Sequence, residues 1–132
     1  MDDLYREIIV ERYKSPQHKG SLEPNDISFE DENPLCGDKI RIDLCVDENG
    51  IISNAMYSGH GCAISQASAD LLLDFVIGKT KDSIKEMNKQ DILDILGIEL
   101  GPVRLKCALL PLKVIKAGVY GVGSSDGIMD ED

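Results

Sequence analysis

The chain has no tryptophan, and phenylalanine and tyrosine together make up only 5% of its residues. Little is left for the aromatic platforms on which a nucleic-acid surface stacks bases. Positive charge is scarce as well. Lysine and arginine number 14 against 24 acidic residues, a net charge of −10. That balance disfavours nucleic acid and anionic membrane surfaces as partners and is compatible with a basic protein partner. No stretch approaches the roughly 18 to 20 consecutive apolar residues of a membrane span. The opening MDDLYREIIVERYK is acidic and amphipathic, unlike a secretory signal. A cytoplasmic location is the expectation. Cysteines number only four and include no C-x-x-C pair. The reducing cytosol argues against a disulfide framework, so metal binding or thiol chemistry is the better reading. A cysteine hydrolase is disfavoured too, because His60 stands only two residues from Cys62, too close for an ordinary tertiary Cys–His pair.

What is present suffices for one core. The 132 residues are 42% hydrophobic and 29% charged, enough for a single domain and too few for two. The domain is expected over 1–121, with an acidic flexible tail over 122–132 whose glycines, serines and acids suit a solubilising end. The spacing of Leu4, Tyr5, Ile8, Ile9 and Arg12 predicts an amphipathic helix ending near Ser15–Pro16. Residues 16–38 are rich in proline and glycine, with room for a short strand around Ile27 to Phe29. Ile40, Ile42, Leu44 and Val46 alternate with polar residues as in a half-buried strand, and a turn over Asp47–Gly50 leads to a second hairpin arm over Ile51–Ser58.

From Ala63 the apolar spacing becomes helical and stops at Gly78. A short helix is expected over Thr80–Met87. Another follows Asn88, an N-cap with Asp91 three residues on, and ends at Gly97. Leu105 to Val119 resumes helical spacing. Strands first and helices later is an α+β order, which favours a small antiparallel, three-stranded sheet packed against several helices.

Three cysteines lie at element boundaries rather than inside periodic runs. Cys36 precedes the hairpin and Cys62 directly precedes a helix. Cys107 is four residues before Pro111, and an interior proline costs a helix about 3 kcal/mol. The conflict is relieved if that helix begins near Cys107 or Ala108, since first-turn amides lack an intrahelical acceptor. On that reading Cys62 and Cys107 both sit at helix N-termini, where partial positive charge favours thiolate, the form that binds metal and attacks sulfur. Gly37, Gly59 and Gly61 would let the backbone approach a bound ion or cluster. The intervals of 26 residues (62 − 36) and 45 residues (107 − 62) are too long for a zinc knuckle, so any shared site must be assembled by the fold. Spacing alone leaves convergence on one site and scattered buried thiols equally open.

Three blocks carry a resemblance. Asn33-Pro34-Leu35-Cys36-Gly37-Asp38, Gly59-His60-Gly61-Cys62-Ala63-Ile64-Ser65-Gln66-Ala67-Ser68 and Pro102-Val103-Arg104-Leu105-Lys106-Cys107 occur in that order. The sequence resembles the iron–sulfur cluster scaffold family that includes IscU, the N-terminal part of NifU, and SufU, from the first helix to about Gly121. The resemblance implies a small antiparallel sheet covered by helices. It implies Cys36, Cys62 and Cys107 as ligands of a metal or nascent cluster, with Asp38 tuning it; by its own chemistry Asp38 suits a fourth, exchangeable oxygen ligand that would keep a cluster labile. It also implies sulfur taken from a cysteine desulfurase, with Cys107 the favoured acceptor and Cys62 the other. The cargo would be a [2Fe–2S] cluster passed to apo iron–sulfur acceptor proteins, possession of Zn2+ or Fe2+ would mark the cluster-free form, and cluster-bound chains could associate into a homo-oligomer.

Two departures from the IscU branch stand out. Lys106 replaces a histidine before the third cysteine, and Leu100-Gly101-Pro102-Val103-Arg104 replaces the Leu-Pro-Pro-Val-Lys stretch read by a dedicated Hsp70 chaperone. Arg104-Leu105-Lys106-Cys107 is closer to SufU, a zinc-bound sulfur relay, yet the usual SufU insertion between the second and third cysteines is missing. Lysine is a poor metal ligand, so Lys106 is expected to pair with Asp38 or to stabilise thiolate and persulfide. His60 could lend an imidazole or be a plain surface residue. Cys45 reads as a structural or exposed thiol, His18 as solvated, and Asp70 with Asp74 as a solvated helix face.

Overall fold

The computed structural model describes residues 2–34 and 37–120. Helix α1 (Asp2–Lys14) is followed by strands β1 (Ile27–Asn33), β2 (Asp38–Val46) and β3 (Ile52–His60). Helices α2 (Ala63–Val76), α3 (Lys81–Lys85), α4 (Lys89–Leu96) and α5 (Pro102–Tyr120) complete the order. The strands form one antiparallel sheet in the order β1-β2-β3, with helices packed on it. The expected α+β class with a three-stranded antiparallel sheet is what the chain adopts.

Period-two alternation decides which side of the sheet faces the helices. Ile40, Ile42 and Leu44 of β2 are all at most 2% exposed, and they stand opposite Gly59, Tyr57 and Ala55 of β3 and Asp31, Phe29 and Ile27 of β1. Each fully buried aliphatic side chain contributes about 1.5 to 3 kcal/mol. Gly118 of α5 lies so close to β1 that an added Cβ would come within 3.0 Å of Ile27 Cγ2, so the absence of a side chain there lets helix and sheet touch. β1 is longer than the short strand expected. Seven residues pair with β2 down to Asn33 opposite Asp38, because β2 supplies the acceptors and donors that the polar run Glu30–Asn33 does not advertise in its own sequence.

The outer face of the sheet carries Arg41, Asp43 and Cys45, and residues 20–24 run along it after Lys19 has bridged Tyr57 at the edge of β3. Asp43 is 1% exposed; it accepts hydrogen bonds from Ser28 Oγ (2.7 Å), Leu22 N–H (3.1 Å) and Arg41 Nε (2.9 Å). The Cys45 thiol donates to the Pro24 carbonyl across 3.4 Å, in keeping with a structural thiol.

Helix ends follow local chemistry. Asn88 caps α4 in a reciprocal capping box with Asp91, and Gly97 closes it in the left-handed conformation. α5 departs from expectation. It starts at Pro102 rather than near Cys107, so Pro111 lies inside it and Cys107 falls in its second turn. Proline is well suited to a first helical position, where its fixed φ is already helical and its missing N–H is no loss. The Leu105 N–H donates to the Gly101 carbonyl (2.9 Å) as the first turn closes. Pro111 is tolerated because α5 buries Leu110, Leu112, Val114, Ile115 and Val119, whose summed contribution exceeds the roughly 3 kcal/mol that the proline costs. Ser68 Oγ of α2 also donates to the Ala108 carbonyl across 2.7 Å in this segment.

Candidate metal and sulfur site

The site forms where the end of the sheet meets the start of α2 and the second turn of α5. Asp38 has the same strand parity as Ile40, so its side chain lies on the helix-facing side, and it is 1% exposed. Cys62 is the N-cap of α2, with extended backbone, and its Sγ accepts the Ser65 N–H across 3.4 Å. Cys107 arrives from α5 and is 2% exposed, whereas Cys62 is open to solvent. One ligand atom each from Asp38, Cys62 and Cys107 lies within 4.8 Å of the others.

The Cys62 N–H donates to Asp38 Oδ1 at 3.0 Å, and the Cys62 thiol donates to Asp38 Oδ2 at 3.7 Å. A Cβ on Gly61 would come within 2.6 Å of Asp38 Oδ1, and one on Gly59 within 2.0 Å of the Lys39 carbonyl. These glycines were expected to make room for an ion or cluster. Instead they make room for β2 and its aspartate, because the strand pair must close tightly before the chain turns into α2.

Two thiols and a carboxylate suit zinc or iron as a donor set. Tetrahedral coordination with metal–sulfur bonds of about 2.3 Å puts sulfur atoms roughly 3.8 Å apart and sulfur and oxygen roughly 3.5 Å apart. The 3.7 Å between Cys62 Sγ and Asp38 Oδ2 is already close to that spacing. A cavity of about 780 Å³ opens beside the thiols, lined by Ile9, Cys62, Ile64, Leu100, Arg104 and Cys107 among others.

The other candidates are placed as follows. Cys36 lies outside the described residues, as does the tail over 122–132. Its described neighbours close the β1–β2 turn, where the Gly37 N–H donates to the Asn33 carbonyl at 2.9 Å. His60 is exposed and pairs with Lys39, whose parity puts both on the outer face, away from Asp38. Lys106 is exposed and makes no ion pair among the described residues; Asp38 is bonded by Cys62 instead. Of the two cysteines expected at helix N-termini, Cys62 alone is there.

Asp70 and Asp74 are not a solvated face. Asp70, with a fully buried side chain, accepts Arg12 Nη1 (2.9 Å) and the backbone N–H groups of Gln17 and His18 (2.9 and 2.7 Å). Asp74 pairs with Arg12 and with His18 Nε2 (2.7 Å), so His18 is not simply solvated. Burial pushes the Asp74 carboxyl up, but hydrogen bonds from Arg12 and His18 outweigh it and hold the group below the usual carboxylate range. This network fastens α1 and the segment after it to α2. Helical spacing of two acids could not disclose it, because the partners come from 52 to 62 residues away.

The family described as NifU-like N-terminal domain matches residues 4–124. The chain belongs to that family. It is 34% identical to the zinc-dependent sulfurtransferase SufU of Bacillus subtilis, covering 90% of this chain and 91% of that one. It is 36% identical to the iron–sulfur cluster assembly enzyme IscU of Drosophila melanogaster, over 88% of this chain and 76% of the relative. Among solved structures, a protein of Fervidobacterium islandicum AW-1 described as an iron–sulfur cluster assembly scaffold for the SUF system superposes with a TM-score of 0.76. That pair is 28% identical over 86% of this chain and 94% of the other. The chain is thus similar to relatives named for both branches that the motifs resemble, and it shares its fold with that solved structure.

Proposed function

We propose that this protein is a non-enzymatic scaffold on which iron–sulfur clusters are assembled and from which they are passed to apo acceptor proteins. The observation that carries this reading is the convergence of Asp38, Cys62 and Cys107 from β2, the cap of α2 and α5. Cys36, two residues before Asp38 in sequence, supplies the third thiol. The metal ligands are then Cys36, Asp38, Cys62 and Cys107, holding Zn2+ or Fe2+ before sulfur arrives and a [2Fe–2S] cluster as cargo. Thiolates bind iron firmly, and the carboxylate, a harder and more exchangeable donor, keeps the site able to release what it builds.

Sulfur delivery requires only a thiolate and access. A thiolate of Cys107 or Cys62 attacks the outer sulfur of a persulfide on a cysteine desulfurase. A new S–S bond forms as the old one breaks, the electron pair leaves on the desulfurase cysteine, and no net oxidation occurs. The exposed Cys62 and the adjoining cavity give such a persulfide a route to both thiols. A cytoplasmic setting is consistent with free thiols, and no helix of the described residues is long and apolar enough to cross a membrane.

A second reading, a zinc-bound sulfur carrier that activates its desulfurase, is favoured by Arg104-Leu105-Lys106-Cys107 and by the SufU relative. Anaerobic reconstitution with ferrous iron, cysteine, a thiol reductant and a cysteine desulfurase separates the two. Visible charge-transfer bands and transfer of the cluster to an apo-ferredoxin support the scaffold. Iron that fails to displace zinc, with desulfurase turnover still stimulated, supports the carrier.

A further inference from the structure

Gln66, one turn into α2, is 8% exposed, and both ends of its amide are engaged. Its Nε2 donates to the Gly61 carbonyl at 2.9 Å, and its Oε1 accepts Lys19 Nζ at 3.0 Å. An ammonium can only donate and a carbonyl can only accept, so the two partners impose the same orientation on the amide. The Gly61 carbonyl belongs to the same peptide plane as the Cys62 N–H, which donates to Asp38 Oδ1 at 3.0 Å. One rigid peptide unit is therefore held at both edges, by Gln66 on its oxygen and by Asp38 on its nitrogen.

We infer that Gln66 is a positioning residue for the metal and sulfur site, with Lys19 fixing its amide. It touches neither metal nor sulfur. It prevents the Gly61–Cys62 peptide from rotating, which keeps Asp38 Oδ1 occupied by the amide and leaves Oδ2 on the side of the Cys62 thiol. Lys19 belongs to the segment that Asp70 grips through the N–H groups of Gln17 and His18, so the docking of that segment on α2 is connected to the site through one side chain. The inference rests on the metal-site reading proposed above.

The test is anaerobic titration of the metal-free protein with Zn2+ against a chromophoric chelator, and with Co2+ followed by its thiolate absorption bands. Gln66→Glu keeps size and can still accept from Lys19, but it cannot donate to the Gly61 carbonyl. It is expected to weaken Zn2+ binding about tenfold, as loss of a supporting hydrogen bond around a metal site does, and to shift the Co2+ bands, both beyond what the modest fall in metal-free melting temperature from the unpaired Gly61 carbonyl accounts for. The double variant K19E/Q66K returns a donor to the Gly61 carbonyl and a counter-charge behind it, and is expected to restore most of the affinity. Wild-type affinity and spectrum in Gln66→Glu would overturn the inference. So would a loss that tracks lowered metal-free stability and is not rescued by the double variant. Should Gln66→Glu fail to fold, Lys19→Met at its exposed position carries the test, with about a threefold loss expected and no change counting against the inference. Cys62→Ser is the control: if it binds Zn2+ as tightly as wild type, the metal-site reading itself fails.

Discussion

The backbone N–H of Cys62 and the carboxylate of Asp38 meet at 3.0 Å, joining the residue that caps α2 to the first residue of β2 across the end of the sheet. Only a glycine fits between them, because a Cβ on Gly61 would come within 2.6 Å of Asp38 Oδ1.

Gly61→Ala is therefore expected to push Asp38 off the Cys62 amide. Overpacking of this kind costs about 1 to 3 kcal/mol, read as a lower urea midpoint, and should weaken zinc binding more than Gly78→Ala, where the added Cβ meets nothing and the strain of a φ of +93° falls at the far end of α2 from Cys62. Equal zinc affinities in the two variants would contradict the role given to Gly61.

Asp70→Ala removes a fully buried carboxylate that serves Arg12 and two backbone N–H groups. Arg12 keeps its pair with Asp74, but the N–H groups of Gln17 and His18 lose their acceptor at about 1 to 3 kcal/mol each, so equilibrium denaturation should show a clear loss. Hydrogen exchange at Gln17 and His18 should rise with it. Protection unchanged at those amides would argue against Asp70 as the anchor of this segment.

Much of this architecture is legible in the sequence, and the exceptions have a common cause. Alternation from Ile40 to Val46, the turn after it, the Asn88–Asp91 cap and the Gly97 stop are local signals, and each is realised. Extending the alternation back by two residues even puts Asp38 on the core side. What local pattern could not supply was partnership at a distance. The acids of α2 read as solvated because Arg12 and His18 are far away in sequence. The start of α5 was obscured by Pro111, whose local penalty is outweighed by burial that only the packed helix reveals. Gln66 belongs to the Gly59–Ser68 block, yet its role depends on Lys19, 47 residues earlier. Convergence of the cysteines was likewise undecidable from spacing.

Two carboxylates tie stability to acid. Burial pushes Asp43 up, but bonds from Ser28, Leu22 and Arg41 prevail and lower it, and Arg12 and His18 do the same for Asp74. A lowered folded-state value means the stabilisation is present above the unfolded carboxylate value near 3.9 and is lost as pH falls through the folded value. Melting temperature should fall below about pH 4, and Asp43→Asn and Asp74→Asn should each flatten that fall. An unchanged acid profile in both would refute the assignment.

Tyr57 ties stability to alkali. It is 1% exposed, its hydroxyl has no hydrogen-bond partner among the described residues, and burial followed by the charge of Asp70 pushes its pKa up to about 12. The unfolded chain releases this proton near pH 10 and the folded chain does not, so stability should decline by up to about 1.4 kcal/mol per pH unit between the two values. Tyr57→Phe should abolish that component and be close to neutral at pH 7, since no hydrogen bond is lost. A large loss at pH 7 would show that the hydroxyl is used.

The most direct test of the central claim is X-ray absorption at the metal edge of protein purified without oxygen and loaded with Zn2+, alongside Cys62→Ser and Cys107→Ser. A single tetrahedral site built from Cys36, Asp38, Cys62 and Cys107 predicts one metal per chain, sulfur neighbours at about 2.3 Å and one oxygen at about 2.0 to 2.2 Å, with stoichiometric binding lost in either variant. A shell of nitrogen and oxygen alone, or full occupancy in both variants, would contradict it.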